Sequence, residues 1–219
     1  MNLAALRVLL VMSPLMCVHA GLAEETSGIR PLLSEEHGGW PAVLPPGTRL
    51  LDDPGTIARF LSTLDQEPPD WPSVYGAGGH GHDERLFALN RERDGLREGQ
   101  TVLKEVITFI WPGELSEYDP GTKGWRVAIG PKVISTRWGL VRFKPDGLPA
   151  NLIAVPPPPL RATLRQIVSG GRRVEIEVAM TGRLIPEESI IYDFAHEEPG
   201  RGMVMPVIRI ERVDYRLKR

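Results

Sequence analysis

The chain has 219 residues, 42% hydrophobic and 25% charged, with a formal net charge of −2. That is ordinary globular composition, and so slight a charge imbalance argues against a nucleic-acid partner. Its single cysteine, Cys17, excludes a disulfide framework, and if the N-terminal leader is removed it also excludes a thiol nucleophile and cysteine-ligated metal.

Residues 1–20 read as a secretory signal peptide. Arg7 and the terminal amine supply a thin positive region, Val8–Val18 an apolar stretch too short to span a bilayer, and Val18-His19-Ala20 the small residues before a cut. A mature chain without cysteine suits a bacterial periplasm, since small secreted domains usually rely on disulfides. No later segment reaches membrane-spanning length.

Residues 21–100 form an acidic region rich in proline and glycine, with fourteen acids against seven arginines and no lysine. Residues 101–219 carry eighteen basic residues against fourteen acids. Two regions of opposite sign suggest an interface between them. Gly21–Thr48 is expected to be irregular because of Pro31, Pro41, Pro45 and Pro46. A helix is expected near 54–65: Asp53 can cap it, Pro54 suits its first position, and Ile57, Phe60, Leu61 and Leu64 recur at helical spacing. Glu67–Pro72 ends it. Arg85–Gln100, dense in Arg and acids, is expected to form a short helix or an extended, ion-paired segment.

From Thr101 the pattern turns to β. Strands are expected at Val102–Trp111 (broken by Pro112-Gly113), Trp125–Ile129, Arg137–Phe143 and Asn151–Val155. Four prolines, Pro156–Pro159, form a stiff spacer before an amphipathic helix over Leu160–Val168, which Gly170-Gly171 closes. The clearest strand is Arg172–Leu184. Val174, Ile176, Val178, Met180 and Leu184 share one face, and Arg173, Glu175, Glu177, Thr181 and Arg183 share the other, which is expected to meet water. Ile190–Phe194 is a further strand, and Met203–Leu217 a long last one. In that last strand the apolar side switches parity at Glu211–Arg212, which predicts a β-bulge.

Three or four strands, a helix, then two or three long strands is an order similar to that of the OB-fold. The resemblance covers roughly residues 101–217, rests on element order and carries no sequence signature. It implies a mainly β protein: a small antiparallel OB-like barrel with one inserted helix, preceded by an irregular N-terminal extension containing a short helix.

The sharpest local motif is His80-Gly81-His82-Asp83-Glu84. Imidazoles two residues apart on an extended chain point the same way, and nitrogen and oxygen donors suit a divalent transition metal. Asp83 and the distant His196 are the candidate additional ligands; nothing else in the sequence calls for a cofactor. Catalytic signatures are missing: there is no G-x-S-x-G, and Gly76–Gly81 lacks the setting and lysine of a phosphate loop. Trp111, Trp125 and Trp138 lie on or beside expected strands. They are core residues, or else aromatic faces for a partner to stack on.

The sequence therefore points to an exported, non-catalytic binding or assembly module acting on a protein or envelope partner. The alternative is a periplasmic metal-binding protein or metal-dependent enzyme built on His80 and His82. Ile185–Gly202, with Glu187, Glu188, Asp193, His196, Glu197 and Glu198, is the segment expected to hold a site, provided it meets the His80–Glu84 loop.

Overall fold

The computed structural model describes residues 39–76 and 80–218. The leader read at residues 1–20 and the start of the irregular segment lie outside the described residues. The described chain is mainly β, with ten strands and four α-helices. The strands are β1 (Arg49–Leu51), β2 (Ile107–Asp119), β3 (Gly124–Ile129), β4 (Ile134–Thr136), β5 (Gly139–Val141), β6 (Lys144–Asp146), β7 (Ile153–Ala154), β8 (Val174–Leu184), β9 (Ile190–Phe194) and β10 (Gly202–Leu217). The helices are α1 (Pro54–Asp65), α2 (Trp71–Tyr75), α3 (His82–Arg97) and α4 (Pro158–Ser169).

The sheet runs β4-β5-β10-β8-β2-β3-β7, with β1 joining β2, and β6 and β9 joining β10. It is mixed: β1–β2, β5–β10 and β6–β10 are parallel pairs and the rest antiparallel. It does not close on itself. The expected antiparallel barrel is therefore corrected to an open mixed sheet. The inserted helix, α4, does fall between β7 and β8 as expected.

β10 is the spine. Its first half pairs with β9 and β5, and its second half with β8 and β6. The amide of Val207 donates to the carbonyl of Ser189, and the Val207 carbonyl accepts from Ile185, so the β8–β9 connection runs along one edge. The Val204 carbonyl accepts from Arg142 on the other edge. The register against β8 slips between Ile210 and Arg212, leaving Glu211 as the extra residue of the predicted bulge. That slip turns Ile208, Val213 and Tyr215 to the same buried side. Beside it, Gly182 allows the backbones of β8 and β10 to touch: a Cβ there would stand 1.9 Å from the Arg209 carbonyl oxygen.

β2 does not stop at Pro112-Gly113 as expected. Pro112 faces the end of β3, where its carbonyl accepts from the amide of Gly130 at 3.1 Å and the chain then turns away. On that side the ladder needs no N–H from residue 112, so the proline is tolerated within the strand.

The core packs aromatic rings against the sheet. Phe109 and Phe143 stack at 4.6 Å between ring centroids, beside Trp111. The second face of β8 meets water at Glu175 and Arg183, as its charges predict, but not along its whole length. Ala179 and Thr181 are buried there, and Thr181 shares a 2.6 Å hydrogen bond with buried Thr108 of β2. Residues 40–43 cross this face. The Trp40 indole donates to Glu177 at 2.9 Å, the Arg216 guanidinium lies 4.8 Å from the Trp40 ring, and Arg212 donates to the Val43 carbonyl. Burial disfavours the Glu177 charge, but hydrogen bonds from Arg216 and Trp40 outweigh it and hold the carboxyl below its ordinary range.

α1 forms as predicted. The Asp53 carboxylate accepts from the amides of Gly55 and Thr56 at 2.7 and 3.0 Å, and Ile57, Phe60, Leu61 and Leu64 are buried. Arg85–Gln100 resolves in favour of helix as α3. What fixes α1 and α3 to the sheet is a buried polar cluster. Arg97 meets Asp65 bidentately at 2.6 and 2.8 Å and donates to the carbonyl of Ile190 at 3.1 Å. The Tyr192 hydroxyl donates to the same carboxylate. Two turns earlier, the Asn90 amide pairs with the backbone of β9: its NH2 donates to the Tyr192 carbonyl at 2.9 Å and its oxygen accepts the Tyr192 amide at 2.8 Å.

Candidate functional site

α2 was not anticipated from the sequence; it is a single turn that lands on β10. Its Trp71 lies against Gly202, where a Cβ would come within 1.8 Å of the ring, and donates to the Trp138 carbonyl at 2.8 Å. Asp70 caps it, with its carboxylate accepting from Ser73 Oγ at 2.5 Å. Gly76, at φ 71°, ends it in the left-handed region. The Arg85 guanidinium occupies the space a Gly76 Cβ would need, and donates to the carbonyls of Val74 and Tyr75 at 2.9 and 2.7 Å. One arginine thereby ties the end of α2 to the start of α3.

Opposite them, the turn from β9 to β10 is closed by its own backbone. Ala195 donates to Arg201 at 2.9 Å, Glu198 to Ala195 at 3.0 Å, and Arg201 to Glu198 at 3.1 Å. The Arg201 side chain bonds Glu198 at 2.6 Å and Ser135 at 2.7 Å. The Tyr75 hydroxyl donates to the Arg201 carbonyl at 2.8 Å, so α2 and the turn are joined directly.

Between these pieces lies an open hollow of about 310 Å³, lined by Tyr75, His82, Phe194, Ala195, His196 and Pro199. That is at the lower end of the roughly 300–1,000 Å³ range of small-molecule sites. Phe194 joins an aromatic group: its ring centroid is 4.5 Å from that of Tyr75 and 5.1 Å from that of His82, the latter edge-on at 72°. His82 is also 3.2 Å from the carboxylate of Asp83, which is itself exposed. The segment Ile185–Gly202 and the motif at 80–84 therefore do meet, through His82, Phe194 and His196.

The predicted metal set is only partly gathered. His82 and His196 share the hollow, Asp83 contacts His82, and His80 sits in the exposed turn before α3 outside the lining. Among the described residues no group of three or more His, Cys, Asp or Glu has the arrangement to hold a metal ion. Trp111, Trp125 and Trp138 are core, at 7%, 0% and 0% exposure, so none of their ring faces is open to a partner. Their indole N–H groups have no hydrogen-bond partner among the described residues, a cost offset by burying so large a ring.

Tyr75 and Phe194 are the site residues that sequence reasoning missed. Each ends a regular element, and a lone aromatic there carries no periodic signal. No protein-family model matches the chain, and comparison with curated proteins and with solved structures finds no match either.

Proposed function

We propose that the protein is an exported, periplasmic binding or assembly module that engages a protein or envelope partner through the hollow at the β9–β10 turn. The observation that carries this reading is the aromatic lining, in which Tyr75 and His82 each pack against Phe194 beside the open hollow. An apolar concavity held open by hydrogen-bonded backbone is what a binding site needs before its ligand arrives. A ligand-observed NMR screen of apolar and aromatic fragments against the wild type and Phe194→Ala tests it. Binders lost in a folded Phe194→Ala variant support the reading; no binders, or binders indifferent to the substitution, reject it.

A metal-binding reading is favoured by one observation, the presence of both His82 and His196 on the hollow. Calorimetric titration with zinc decides it. Stoichiometric uptake abolished in a His82→Ala/His196→Ala variant would replace the first reading with this one.

A further inference from the structure

The chain that crosses the second face of β8 enters β1 through Pro45-Pro46-Gly47. The prolines have no N–H to donate, and Gly47 stands at φ 77° with open space around it, so this stretch can bend without disturbing a packed side chain. Among the described residues, the backbone hydrogen bonds of residues 39–48 close within the segment. Ala42 donates to Gly39 at 3.1 Å, Val43 and Leu44 to Trp40 at 2.9 and 3.1 Å, and Thr48 to Pro45 at 3.2 Å. The segment is hydrogen-bonded to the sheet through side chains alone: the Trp40 indole on Glu177 and the Arg212 guanidinium on the Val43 carbonyl.

Its packing is equally separate. Trp40 is the one buried side chain of the segment, and it does not belong to the hydrophobic core. Val43 and Leu44 are half-buried and lie outside that core as well. The indole is held by polar partners instead, with its N–H 2.9 Å from Glu177 and the Arg216 guanidinium 4.8 Å from its ring.

We infer that residues 39–48 form a strap that lifts off the sheet as a unit, hinged at Pro45-Pro46-Gly47, while the sheet stays folded. The groups it leaves behind are already paired. Glu177 keeps Arg216 at 2.7 Å, Arg212 keeps Asp214 at 2.5 and 2.9 Å, and Thr108 keeps Thr181 at 2.6 Å. Lifting the strap strands no charge and no buried hydroxyl, so it costs far less than opening the sheet. β8 remains paired with β2 and β10 on its two edges. The strap therefore uncovers a face of the sheet and not an edge.

The test is native-state hydrogen exchange followed by NMR, with each rate referred to its unfolded value. The Trp40 indole N–H, assigned from its loss in Trp40→Phe, reports release from Glu177. It and the amides of Val43 and Leu44 are expected to exchange about a hundredfold faster than the amides of Ala179 and Met180 on β8, and to respond little to low urea. Exchange of all these protons together, with one urea dependence, overturns the inference, because the segment then opens only with the sheet. A Trp40→Ala variant supplies the second measurement. Retained protection at Ala179 and Met180 supports a strap separate from the fold; loss of that protection, or failure to fold, overturns it.

Discussion

Arg97 is 1% exposed and Asp65 3%, and each keeps its charge in the interior through the other. Burial opposes the guanidinium charge, but the hydrogen bonds and charge of Asp65 outweigh it and hold the group above its ordinary value. Removing one partner strands the other without water. Asp65→Ala or Arg97→Ala is therefore expected to cost about 3–5 kcal/mol in urea denaturation. An Asp65→Leu/Arg97→Met double variant should cost clearly less than the two single changes added together. Tyr192 completes the cluster. Burial first, and the neighbouring Asp65 charge second, push its phenol well above the ordinary value; burial does the same to Tyr215. A pKa raised by folding contributes stability that is present below the unfolded value of about 10 and lost as pH rises beyond it. Tyrosinate absorbance from these two residues should therefore appear only as the fold opens in alkali. Tyr192→Phe and Tyr215→Phe should each shrink the absorbance step that coincides with loss of circular dichroism.

At the scale of elements, sequence periodicity was a good guide where one side of an element alone decides its burial. α1 reads from its cap and its four apolar positions. β8 reads from strict alternation, and the bulge of β10 from a change of parity at Glu211–Arg212. It failed where a second surface intervenes. Thr181 looks like a water-facing residue until Trp40 and Val43 are laid across its side of the sheet. α3 looks like a solvated, ion-paired helix because the partner that buries Arg97 lies 32 residues earlier in the chain. Gly182 gave no signal, since only the crossing of β8 and β10 makes a side chain there impossible. Gly182→Ala would drive a methyl into the Arg209 carbonyl. The expected loss is about 1–3 kcal/mol, read as a lower denaturation midpoint with an unchanged slope.

Across the whole molecule, closure into a barrel was the expectation that could not be read locally. Whether a sheet closes depends on the pairing of its two outermost strands, and β4 and β7 are only three and two residues long. The site was half legible for a related reason. The motif at 80–84 and the acidic segment 185–202 were both visible, but their meeting depends on α2, a single turn positioned by Trp71 on Gly202. Composition cannot report a contact made through a third element.

β9 is flanked by β10 on one edge only, and an open edge is a template on which further chains can add. The Asn90 side chain occupies that template. By offering one donor and one acceptor to Tyr192, it stands in for a residue of a neighbouring strand, and because it belongs to a helix no strand can continue from it. A helix residue thus acts as a terminator of sheet growth. Asn90→Ala would free both backbone groups to a second molecule. The expected outcome is concentration-dependent oligomers in size-exclusion chromatography from a protein whose far-ultraviolet spectrum is unchanged. A variant that stays monomeric at every concentration would show that the bulk of α3, and not the amide, guards the edge.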